Sequence, residues 1–124
     1  MVDSVVKVID HPAWAELFSP AALAEVPITA LVGTQAVAGT IDRLLIGRDT
    51  IRLVDFKTAR RPPETLEQVP QSILRQMAAY AAALEAVYPG RAIEAALLYT
   101  AAPKLLPLPE DLLAPHKQAL LAPQ

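Results

Sequence analysis

Cysteine is absent from this 124-residue chain, which excludes disulfides, cysteine-based structural zinc and iron–sulfur clusters. Glycine occurs only four times, and no Walker motif or glycine-rich phosphate loop is present. No apolar run approaches the roughly 18 residues that a membrane span needs. Residues 1–10 lack the basic start and apolar core of a signal peptide, so a cytoplasmic protein with no membrane partner is expected. Basic residues are not in excess: the formal net charge of −2 argues against a free-standing nucleic-acid binder. A hydrophobic content of 53% makes a folded core the expectation rather than disorder, and the length suits one domain.

The charges are unevenly spread. Residues 43–75 carry seven of the eleven basic side chains against four acidic ones, which reads either as a local basic surface or as a solvated mixed face. In the same region two runs, residues 37–46 and 51–56, have the β-branched and apolar content of strands. Gly47-Arg48-Asp49-Thr50 between them has turn chemistry, which predicts a β-hairpin.

With Gly47 paired to Thr50, counting outward places Asp42 across from Asp55. Like charges so placed destabilise a sheet. Lys57 returns to the same face because side chains alternate with period two. Leu44, Ile46, Ile51 and Leu53 share that face, so the charged triplet sits at the end of a surface expected to be buried. Two readings fit. Asp42 and Asp55 are solvated, with Lys57 in an ordinary surface ion pair; or the carboxylates grip a divalent cation through hard oxygen donors while Lys57 stabilises charge on a phosphate.

Elsewhere the pattern is that of an α/β domain. The spacing of Val2, Val5, Val6 and Ile9 is helical and reads as the end of a longer helix. Pro12 opens a short helix whose Trp14, Leu17 and Phe18 are expected on the sheet, with His11 beside it in a capping or surface role. Residues 24–32 form a strand, with Pro27 indicating an edge or strand-end position, and Glu25 lies at its start. Residues 58–70 make a polar connection with a basic start, suited to a mobile loop. A helix over 71–88 follows, its buried face formed by Ile73, Met77, Tyr80 or Ala81, Leu84 and Val87. Gln76 and Tyr80, four apart, share a side, either packed or bordering the charged triplet. Pro89-Gly90 ends the helix; residues 92–99 form a buried strand reached by a crossover, 104–108 an edge strand and 110–121 a last helix. The Leu112-Leu113 and Leu120-Leu121 pairs of that helix are expected to dock on this domain or on another.

Gly39-x-x-Asp42-Arg43, then Val54-Asp55-Phe56-Lys57-Thr58, then Gln76-x-x-x-Tyr80 resembles, position by position, the RecB-like branch of the PD-(D/E)XK nucleases. The tail, Tyr88-Pro89-Gly90-Arg91 and Leu97-Leu98-Tyr99-Thr100, is similar to the C-terminal nuclease of AddA-type helicase-nucleases. The resemblance covers about residue 24 to the end of the chain. It implies a restriction-endonuclease-like core: a mixed sheet, made of an antiparallel meander with a crossover helix and strand, flanked by helices. Residues 24–124 would form that core and residues 1–23 an N-terminal helical part of it.

The resemblance also implies Mg²⁺, or alternatively Mn²⁺, bound by Asp42, Asp55 and the backbone carbonyl of Phe56, with Lys57 catalytic and DNA as substrate. Glu25, Gln76 and Tyr80 are additional candidates. The relatives usually carry a metal-binding histidine on an upstream helix; nothing here matches it, and it is expected to precede Met1. Further expected partners are helicase domains in the same full-length chain and a second helicase-nuclease subunit, acting in double-strand break repair. The competing reading is a non-catalytic DNA-binding or docking module that keeps the nuclease fold.

Overall fold

The computed structural model describes residues 12–101 and 104–121. The helical reading of Val2 to Ile9 and the role of His11 lie outside these. The chain runs through helix α1 (Pro12–Ala15), a 3₁₀ turn (Glu16–Phe18), strands β1 (Leu23–Val32), β2 (Gln35–Ile46) and β3 (Thr50–Lys57). A second 3₁₀ turn (Leu66–Gln68) leads to helix α2 (Gln71–Val87), then strands β4 (Ala92–Tyr99) and β5 (Lys104–Leu108) and helix α3 (Glu110–Leu121).

The five strands stand in their sequence order. The first three form an antiparallel meander, β3 and β4 are parallel through the α2 crossover, and β5 returns antiparallel. A parallel neighbour cannot be reached by a tight turn, which is why α2 lies between β3 and β4. The mixed sheet, the meander and the crossover are those expected from the sequence. Pro27 sits on edge strand β1, where a missing N–H costs no central ladder bond.

Each face of the sheet carries an apolar layer. On one, Ile28, Val37, Ile41, Leu44, Ile51, Leu53 and Leu97 pack under α2 and α3. On the other, Trp14 and Leu17 from the N-terminal turn cover Val54, Ala96 and Leu98. Phe18 stacks on Phe56 there, ring centroids 6.2 Å apart.

Three details differ from the sequence reading. Helix α2 is buried more broadly than one stripe: Leu74, Ala78, Ala82 and Ala83 join Met77, Tyr80, Ala81 and Leu84, whereas Val87 is 49% exposed. The reason is that α2 is sandwiched, sheet on one side and α3 on the other, and its alanines let both approach. Ile46 is exposed because it lies at the turn end of the hairpin, beyond the helical cover. The connection after Lys57 is tied down: Lys104 Nζ donates to the Pro63 carbonyl at 2.7 Å, and the Glu64 N–H donates to Gln68 Oε1 at 2.9 Å.

Candidate active site

The hairpin turn closes with the Gly47 N–H donating to the Thr50 carbonyl at 3.0 Å, and the register runs outward to Arg43 opposite Val54. One step further the ladder opens. Alternation along β2 slips there: Val37 and Ile41 are buried at even spacing, but the next buried position is Leu44. The pairing with β1 skips the same point, where Glu25 would face Asp42, and Glu25 takes φ 51°, in the left-handed region. Such bulge-like breaks re-aim side chains and recur beside active sites.

The Asp42 carboxylate turns into the gap and accepts the Phe56 backbone N–H at 2.8 Å. It comes within hydrogen-bonding reach of the Asp55 carboxyl. Lys57 Nζ forms an ion pair with Asp55 at 2.7 Å and donates to Gln76 Oε1 at 3.4 Å. Gln76 Nε2 in turn donates to the Tyr80 hydroxyl at 3.3 Å. Tyr80 lies so close over Gly39 that any Cβ there would overlap its hydroxyl and ring. Gly39, Asp42, Asp55, Lys57, Gln76 and Tyr80 thus form one continuous chain of contacts from β2 through β3 to α2. This gives the motif spacing a physical reason: the glycine leaves room for the tyrosine, and the four-residue helical step carries the glutamine to the lysine.

Asp55 is 8% exposed, and burial raises its pKa above the ordinary value of 3.8. Lys57 works against that rise by hydrogen bond and charge, while neighbouring Asp42 adds to it. Two carboxyls in contact, one of them desolvated, form an arrangement that a cation relieves.

The Phe56 N–H faces β2, and in an extended strand the carbonyl of the same residue points to the same side. Asp42, Asp55 and the Phe56 carbonyl are hard oxygen donors of the kind that could hold a divalent cation. Glu25 is not brought into it: its side chain is exposed, and among the described residues no three His, Cys, Asp or Glu side chains form a metal-holding group.

Beside Lys57 lies a cavity of about 710 Å³, walled by residues of the 58–70 connection, the start of α2 and Tyr99. Tyr99 is the parallel-strand partner of Lys57, so the two side chains stand on one face. From the sequence, Tyr99 is the end of a buried strand and part of the tail resemblance, and is not a candidate site residue; the signal available was an apolar run ending in a hydroxyl-bearing residue.

A bulged mixed sheet that presents two carboxylates and a lysine at the open end of a hairpin defines a domain of the restriction-endonuclease-like class. A family model of the PD-(D/E)XK nuclease superfamily matches residues 3–120, and the chain belongs to that superfamily. Among solved structures, it is similar to a candidate exonuclease from Eubacterium rectale, with TM-score 0.62 at 10% identity, over 96% of this chain and 48% of that one. A looser likeness, TM-score 0.42 at 16% identity over 81% of this chain and 49% of the other, is to the protein SSO0001. The chain spans about half the length of both. No curated protein matches it.

Proposed function

We propose that the chain hydrolyses DNA phosphodiester bonds with a divalent cation, Mg²⁺ or alternatively Mn²⁺, held by Asp42, Asp55 and the Phe56 carbonyl. The observation that carries the proposal is the placement of Asp42, held by the Phe56 N–H at 2.8 Å, next to Asp55 with Lys57 Nζ 2.7 Å from Asp55. When bound, such an ion supplies Lewis-acid polarisation of the phosphodiester and a more acidic water. The chain's own groups do the rest. Lys57 offers a positive charge to the phosphate, and Gln76 Oε1, by accepting from Lys57 Nζ, aims it. Asp42 is fixed by the Phe56 N–H. Phosphate contacts position a strand without reading its bases, so sequence preference is not expected to reside here.

The finer reading is an exonuclease-type domain at the C-terminal end of an ATP-dependent helicase-nuclease, working with a second subunit in double-strand break repair and recombination. It is supported by the Tyr88-Pro89-Gly90-Arg91 and Leu97-Leu98-Tyr99-Thr100 tail. The second reading, a DNA-binding or docking module without catalysis, is favoured by the exposed position of Glu25, which leaves two carboxylate side chains at the site among the described residues.

Calorimetric titration with Mg²⁺ and Mn²⁺, set beside hydrolysis of labelled single- and double-stranded DNA, tests this. Binding and cleavage are expected in the wild type and absent from Asp42→Ala and Asp55→Ala. Metal binding that neither substitution changes would overturn the site. Binding without cleavage by a chain extended upstream to include the expected metal-binding histidine favours the docking module.

A further inference from the structure

The cavity beside Lys57 has features that a metal site alone does not call for. Its volume of about 710 Å³ falls in the range of small-molecule sites. Its lining combines apolar Pro62, Pro63 and Ile73 with the polar Lys57, Arg61 and Tyr99. Tyr99 is only 2% exposed, yet it lines the cavity. Burial raises its pKa above the ordinary 10.0, so it remains a donor at neutral pH. The wall is held in place by Lys104 on the Pro63 carbonyl.

We propose that this cavity seats one nucleotide of the substrate strand beside the scissile phosphate, with Tyr99 and Arg61 donating to its phosphate and the proline wall covering its base. Size and lining together carry this: a phosphate alone needs no apolar wall, and an apolar ligand needs no Arg61. Glu64, exposed on the rim, opposes the phosphate and sets a limit on affinity. The inference rests on the nuclease reading for the identity of its ligand, but its test does not require metal.

The test is calorimetric titration of the full chain with thymidine 5′-monophosphate in EDTA, with inorganic phosphate as the comparison. Tyr99→Phe keeps the ring that packs in the core; it should weaken binding about 2- to 10-fold, the worth of one neutral hydrogen bond. Arg61→Gln should weaken it about 10-fold, at the lower end for a charged donor because Arg61 is exposed. Ala59→Trp, on the cavity wall, should abolish binding by filling the space, and Glu64→Gln should tighten it. Arg48→Gln, on the hairpin turn, serves as the charge control and should change nothing.

No binding by the wild type, equal binding of inorganic phosphate, or indifference to Tyr99→Phe, Arg61→Gln and Ala59→Trp would each overturn the proposal. The nuclease reading fails on a separate readout, Mg²⁺ binding that survives Asp42→Ala and Asp55→Ala, whichever way the nucleotide titration falls.

Discussion

The carboxylate of Asp42 accepts the backbone N–H of Phe56 at 2.8 Å, standing where the next rung of the β2–β3 ladder would be. A strand residue has thus exchanged a backbone partner for a side-chain one, and the exchange does two things at once. It satisfies a half-buried donor that the bulge would otherwise orphan, and it fixes the carboxylate beside Asp55. Structure and proposed chemistry therefore meet in one side chain, and substitutions can separate them.

Asp42→Ala should lose about 1.5 kcal/mol of stability in EDTA, the low end for a hydrogen bond to a charged group. Asp42→Asn keeps an acceptor oxygen and should recover most of that loss. Neither variant should gain stability on addition of Mg²⁺. Urea unfolding with and without the ion measures all three quantities, and equal destabilisation by Ala and Asn would locate the effect elsewhere.

The hairpin and its turn were legible because they follow from strand composition and turn chemistry, and counting across the turn brought Asp42 to the neighbourhood of Asp55. The bulge was not. A period-two count from Gly47 carries Asp42 past the slip without notice, since the opposing irregularity is Glu25 at φ 51° on a strand one step removed. The two-sided burial of α2 was hidden for a related reason: alanine periodicity does not say which apolar surface, sheet or α3, each alanine meets. The N-terminal aromatic and leucine residues were readable, because Trp14, Leu17 and Phe18 needed some apolar face and the sheet supplies one.

Leu17→Ala should therefore be costly. Leu17 is fully buried against the second face of the sheet, and deleting its side chain should cost about 3 kcal/mol, near the middle for a large-to-small core change. Thermal or chemical unfolding reads this directly. A loss below about 1 kcal/mol would mean that the site collapses to fill the space.

Gly39→Ala tests the tyrosine contact. Its Cβ overlaps the Tyr80 hydroxyl and ring, which must shift, and overpacking of this kind costs about 1–3 kcal/mol. Adding Tyr80→Leu, which removes the crowding atoms, should restore part of the loss, so that the double variant is less destabilised than the sum of the singles. Strict additivity in a double-mutant cycle would show that the glycine is needed for another reason.

Lys117 supplies a pH-dependent prediction. It is 8% exposed on α3, and its Nζ donates to Glu85 at 2.5 Å and to Glu110 at 2.9 Å. Burial pulls its pKa down, but the hydrogen bonds and charges of Glu85 and Glu110 outweigh burial and leave it above the ordinary 10.5. A lysine raised by folding stabilises the folded state fully below 10.5, and that contribution is lost as pH rises through the folded value. Both carboxylates are largely solvated, so the contribution is about 1 kcal/mol. Lys117→Met should remove it at pH 7 and flatten the decline above pH 10.5, measured by urea unfolding across pH.

Arg43 is the motif residue that stability does not explain. Its guanidinium lies 6.0 Å from the Phe56 ring centroid, while its Nε is buried with no hydrogen-bond partner among the described residues. The cation–π contact contributes about 0.5–1 kcal/mol, whereas an unpartnered buried donor costs about 1–3 kcal/mol. The balance predicts that Arg43→Met, similar in length and without a polar head, leaves the chain as stable or stabilises it by about 1 kcal/mol in urea unfolding. If the same variant also weakens binding of single-stranded DNA and lowers the dependence of that binding on salt, the guanidinium contacts a phosphate and its unpaired state is its resting condition. A stability loss above about 1 kcal/mol would instead show that Arg43 has an intramolecular partner and holds the fold together.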